Sequence, residues 1–169
     1  MNLMNKGFFE VVSQDIKRNK GNTRATLHQI SFRIIQALYQ KRFGRIGIPF
    51  AKLIHMILFD RYCIDIPFNT HIGGGIYIPH LQGIVVNQFA TIGNNCTVFH
   101  HVTIGASDPS KAEAPHIGDN VFIGAGAIIL GDISIGDNAV IGAGSVITHD
   151  VQVGEIVVGN NRRLNAKSR

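Results

Sequence analysis

The sequence predicts a mainly β chain, a solenoid of stacked six-residue turns, behind an α-helical N-terminal segment. Three observations carry this. Ile117, Ile123, Ile129, Ile135, Ile141, Ile147 and Val153 stand six residues apart without a gap. Glycine is abundant, 19 of 169 residues, and much of it falls at one fixed place in that period. Before residue 65 the rhythm differs: apolar residues recur at mixed three- and four-residue spacing, as in helices.

The helical region is expected to run from residue 4 to about 62. Its segments read FFEVVSQDIKRN, TLHQISFRIIQALYQKRF and IPFAKLIHMILFDRY. Gly21 and Asn22 mark the first break, and Gly44 and Gly47 the second. Ile48, Phe50, Leu53, Ile54, Ile57 and Leu58 make the third helix strongly apolar, so burial against the body or a sister subunit is expected. Residues 1–64 hold eleven Lys and Arg against three acids, and residues 65–169 five against eight. That asymmetry suits a solvated helical surface, with peripheral membrane contact as the alternative. No apolar run reaches the roughly 18 residues of a membrane span, and no secretory signal is legible. Two cysteines, Cys63 and Cys96, make no disulfide framework. A cytoplasmic protein without a nucleic-acid partner is expected.

From residue 65 each period justifies a short strand and a corner. Earlier members in phase are Ile66, Ile72, Ile78 and Ile84, then Ile92, Val98 and Ile104. Two extra residues fall between Ile84 and Ile92, and seven between Ile104 and Ile117. Counting the aliphatic as position one, position two is often Gly and position four often Asn or Gly (Asn95, Asn120, Gly126, Asn138, Gly144). Those residue types tolerate the positive φ of a corner. Position five is small or β-branched and suits an inward slot; Cys96 fills one, without chemistry of its own. Stacked coils of this kind bury one continuous core. The expected division is 1–64 helical, 65–159 solenoid with a loop at 106–116, and 160–169 a basic tail.

On these repeats the chain resembles the hexapeptide-repeat acyltransferases. The resemblance implies a left-handed parallel β-helix, closed by three hexapeptides per coil. Eighteen residues per coil then place Ile78, Val98, Ile123 and Ile141 in one column. Two residues beyond each lie His80, His100, Ala125 and Ala143, on a single corner. Small corner residues leave a shallow groove that suits a long thin molecule with a reactive end, such as acetyl-CoA.

Within that superfamily the segments DIPFNTHIGGGIYIPHLQGIVV, VTIGA and PHIGDNVFIGAGAIILGDISIGDNAVIGAGSVI, with QDIKRN before them, resemble serine acetyltransferases and their shorter relatives in surface-polysaccharide synthesis. The resemblance implies His80 as general base toward an acceptor hydroxyl and Asp65 as the carboxylate that orients the imidazole. It implies Ala106, Ala125 and Ala143 along the coenzyme A groove, with Arg162 and Arg163 near the nucleotide phosphates. His100, His101, Glu113 and His116 are candidates for acceptor contact. No metal is expected; a three-histidine zinc site like that of gamma-class carbonic anhydrases, with His80, His100 and His116, is the rival that the Asp65–His80 pattern disfavours. A homotrimer with active sites between subunits follows from the family.

Two departures bear on the acceptor. The family places an acidic residue directly before the histidine, where this chain has Pro79. It places Arg-His before the later Pro, where this chain has Glu113-Ala114. Those family residues grip the charged groups of serine. A sugar hydroxyl is therefore the expected acceptor, with serine as the alternative.

Overall fold

The computed structural model describes residues 7–40, 47–108 and 110–164. Gly44, the expected helix start before residue 7 and the basic residues beyond 164 lie outside the described residues. Helices α1 (Phe8–Arg18), α2 (Thr23–Gln40) and α3 (Gly47–Phe59) come first, and a single 3-10 turn, Asp60–Tyr62, follows α3. Everything after is strands of two or three residues.

All those strands but the last, Arg162–Leu164, stack as three parallel ladders, one per side of a triangular coil. The His71 face carries His71–Ile72, Thr91–Ile92, His116–Ile117 and Ser134–Ile135. The Thr97 face carries Thr97–Val98, Phe122–Ile123, Val140–Ile141 and Ile156–Val158, with Tyr77 bridged below Thr97. The Val85 face carries Val85–Val86, Thr103–Gly105, Ile128–Leu130 and Val146–Ile147, with Asp65 bridged below Val85. The second residue of each parallel strand points inward, so Ile92, Val98, Ile104, Ile123, Ile129, Ile135 and Ile141 are all but inaccessible. Burying each such side chain contributes roughly 2–3 kcal/mol. Asn95, Asn120, Asn138, Gly126 and Gly144 all take positive φ, as the position-four rule requires. Gly124 serves a different need: a Cβ there would lie 2.5 Å from the Ala143 backbone nitrogen of the next coil.

The phase of the repeat differs from expectation in two places. Val86, not Ile84, sits above residue 66, because Asp65 bridges Val85. The two extra residues therefore lie between Ile78 and Val86 and enlarge the corner that carries His80. Ile84 is still fully buried, tucked inside that corner. At the far end Val151 pairs with Ile135 and Val157 with Ile141, which leaves Val153 70% exposed. The last coil is two residues short, so a strict count of six overruns it.

The first coil would leave its backbone groups open at the end of the stack. The first two helices satisfy them. Asp15 accepts hydrogen bonds from Gly75 N (2.7 Å) and Ile76 N (3.2 Å). Asn19 donates to Ile76 O (2.8 Å) and accepts from Ile78 N (3.3 Å). Arg33 pairs with Asp15 at 2.8 Å and donates to Ile72 O and Gly73 O, with both side chains buried. Arg18 donates to Gly75 O and Asn95 O. Part of the basic charge of the N-terminal half is thus spent inside the molecule, holding helices to the coil.

Candidate active site

His80 lies in the enlarged corner between the Thr97 and Val85 faces. Its ring meets that of His100, one coil on, edge to face with centroids 5.4 Å apart. His101 follows at 5.3 Å from His100 and takes a positive φ of 57°. The corner backbone continues as a ladder: Gly126 N donates to His100 O (2.9 Å), and Gly144 N donates to Ala125 O (2.8 Å). The ladder runs back to Gln82, whose O accepts from His101 N (2.9 Å), so His80 stands two residues before the rung on the enlarged edge that it shares with His100, Ala125 and Ala143. Ala125 is half-buried and Ala143 exposed, and nothing stands within 4 Å of where Cβ atoms would be on Gly126 and Gly144. The edge beyond the histidines is a shallow open trench.

One side of the histidine site is aromatic. Phe99 lies 6.1 Å from the His80 ring and 5.3 Å from that of Phe122, so the two phenylalanines wall the Thr97 side. Reading the sequence did not single them out, although each neighbours a column residue. Nδ1 of His100 is buried with no hydrogen-bond partner.

The other expected residues are placed less simply. Asp65 is exposed and stands below Val85, with its backbone N–H on Ile84 O (2.8 Å). No hydrogen bond or ion pair joins its carboxylate to His80 within the single chain. Its side chain instead helps line a cleft of about 520 Å³ between α3 and the first coil, with His28, His55, Phe59 and Phe68. Ala106 sits on the next corner, after Gly105 and beside the inserted loop, and does not join Ala125 and Ala143. The register of the Thr103–Gly105 strand settles this, since it belongs to the Val85 face. His116 starts a strand on the His71 face, bonded to Thr91 Oγ1 at 3.0 Å, with Asp132 at 3.9 Å. Glu113 is exposed, 3.9 Å from Lys111, and the neighbouring Ala114 is buried. Within one chain neither Glu113 nor His116 meets His80. Arg162 and Arg163 are not a loose tail: Arg162–Leu164 pairs antiparallel with Ile156–Val158. Arg163 is held by Glu155 (2.7 Å) and by Asp150 O, whereas Arg162, opposite Val158, is exposed.

Charge states elsewhere are set by burial. Burial pushes the Cys96 thiol up to about 11, as suits a packing residue. Burial, with His55 beside it, pulls His28 down to about 3, and burial lowers His55 as well. Among the described residues no three His, Cys, Asp or Glu side chains group as metal ligands. No described helix is long and apolar enough to cross a membrane.

Comparison with known proteins bears on the family and the fold. Residues 114–149 match the model described as bacterial transferase hexapeptide (six repeats). Serine acetyltransferase 5 of Arabidopsis thaliana is 44% identical over 86 residues, which are 50% of this chain and 28% of that protein. The serine acetyltransferase of Helicobacter pylori is 33% identical over 107 residues, 63% of this chain and 60% of that one. The soybean serine acetyltransferase apoenzyme superposes with a TM-score of 0.80 at 33% identity, covering 93% of this chain and 69% of that one. A serine acetyltransferase in complex with CoA superposes with a TM-score of 0.76 at 27% identity, again over 93% of this chain and 69% of that one. The chain spans 28% to 37% of the length of the plant relatives first matched. With these likenesses comes the left hand of the parallel β-helix.

Proposed function

Because the chain belongs to the hexapeptide-repeat acyltransferases, on their serine acetyltransferase-like branch, we propose that it moves the acetyl group of acetyl-CoA to an acceptor hydroxyl. One observation carries the reading: an exposed imidazole, His80, with His100 at 5.4 Å, heads an edge floored by Ala125 and Ala143. The thioester carrier lies along that edge with its carbonyl at the histidines, and Arg162 is the cation placed for its phosphates. His80 takes the proton of the acceptor hydroxyl as the oxygen bonds to the thioester carbon. The carbon–sulfur bond then breaks, and the imidazolium returns its proton to the leaving thiolate. Asp65 as the orienting carboxylate rests on the resemblance. His100 and His101 face the acceptor side.

Serine is the acceptor favoured by the names of the compared proteins, and it is better supported than a saccharide. The saccharide reading keeps one specific observation. Pro79 replaces an acid before the histidine, and Glu113 and the buried Ala114 replace a basic pair. Neither Pro79 nor Ala114 offers a side chain to the charged groups of an amino acid. In a homotrimer, which we propose with the sites between subunits, the corner with Ala106, Glu113 and His116 walls the trench of the next subunit. Thiol release from acetyl-CoA, followed with L-serine and in parallel with free sugars and oligosaccharides, separates the acceptors. Turnover with L-serine alone settles for the amino acid; turnover with saccharides alone reverses that order; none with any hydroxyl acceptor overturns the proposal.

A further inference from the structure

The corner from Pro79 to Ile84 is two residues longer than the others on its edge, and the corner ladder reaches it only at Gln82, whose O accepts from His101 N (2.9 Å). The residues on either side of that rung are tied from the helical side. Gly83 N donates to Tyr62 O (2.9 Å). The remaining tie meets the residue directly before His80: Nδ2 of Asn22 donates to Pro79 O at 2.9 Å. Asn22 is itself fixed at its other side-chain atom, because Oδ1 accepts from Ala25 N at 3.1 Å and so caps the start of α2. Asp15, Asn19 and Asn22 stand four and three residues apart, so their side chains fall on one side of the chain as it leaves α1. They meet the first coil in order: Asp15 at Gly75 and Ile76, Asn19 at Ile76 and Ile78, Asn22 at Pro79.

We infer that Asn22 is a positioning residue for His80: it fixes the carbonyl from which the histidine departs and so aims the imidazole at the bound thioester. The inference rests on the reading of His80 as the reacting base. It separates the two jobs of one carboxamide. The oxygen holds the helix, and the nitrogen holds the corner.

The test uses bromoacetyl-CoA, which needs no acceptor. A ring nitrogen of His80 forms a bond to the methylene carbon, bromide leaves, and the ring proton passes to solvent. Alkylation of His80 is followed by peptide mass spectrometry in the full chain, beside N22S and N22D. Both substitutions keep a cap acceptor, and neither can donate to Pro79 O as the amide does. Unfolding temperatures and the Kd for coenzyme A should stay close to those of the native chain, while alkylation of His80 slows about 10-fold or more in both variants, since misplacement by an ångström can cost that much. The neutral serine variant rules out a mere charge effect. Native alkylation rates in N22S overturn the inference, as does a slowing matched by equal loss of coenzyme binding. Failure of the native chain to label at His80 faster than with bromoacetamide overturns the reading of the site itself.

Discussion

His80 and His100 come from different coils, twenty residues apart in the chain, and their rings meet edge to face at 5.4 Å. The only exposed imidazole of the two is His80. This sets up the first expectation. His80→Ala should lower acetyl transfer by about 10²–10⁴-fold, the range for a lost general base. Calorimetry should find coenzyme A bound as before. Thiol release at native rates in that variant would sink the proposed chemistry.

The trench floor makes a second one. Ala143 is exposed on the edge that continues from the histidines. Ala143→Phe puts a ring into that space without touching the core. The Kd for coenzyme A should rise by about 10-fold or more, equal to about 1.4 kcal/mol, with the unfolding temperature unchanged. Unaltered binding would place the carrier elsewhere.

Stability tests the junction of helices and coil. Asp15 and Arg33 are 1% and 3% exposed and share a 2.8 Å ion pair. Asp15→Ala leaves the Arg33 guanidinium buried without its counter-charge and frees two backbone N–H groups of the first coil. Breaking one side of a buried pair costs about 3–5 kcal/mol. Denaturant unfolding measures it; a loss below 1 kcal/mol would show that the helices do not depend on this contact.

The fourth concerns acid. His28 packs against Phe59 at 5.1 Å and His55 at 5.0 Å, linking α2 to α3, and its pKa is pulled down to about 3 by burial and the His55 charge. The folded chain therefore binds a proton less readily than the unfolded chain. This contribution to stability is intact above about pH 6.5 and is lost progressively as pH falls toward 3. By pH 5 the loss is on the order of 2 kcal/mol. His28→Phe, which keeps an aromatic ring in the cluster, should flatten that slope between pH 6.5 and 5. An unchanged slope would mean that other groups govern it.

The solenoid was legible because its core is periodic: an aliphatic in every sixth place names both the strand and the side it faces. The same counting failed at Ile84 and Val153, where the chain adds or drops two residues and period alone cannot tell a bulged corner from a shifted strand. His80, Ala125 and Ala143 could be aligned from spacing, since adjacent coils share a register. Ala106 could not, because one corner's position says nothing about which groove a neighbouring corner serves. The ties from Asp15, Asn19 and Asn22 to residues 75–79 span some sixty positions, and no local pattern announces them. QDIKRN carried two of those residues in plain view as part of the family resemblance, but nothing local named their partners. His28 and His55 were visible only as isolated residues; packing made them a pair.

The reversed strand Arg162–Leu164 closes one end of the stack, and α1 with its side-chain rungs closes the other. A parallel β-helix with free ends could add copies of itself indefinitely, each new coil templated by the last. Here an incoming strand would find a rung running the wrong way, or a helix already in its place. Along the Thr97 face and at the helical end, the stack is thereby a poor template for further parallel coils.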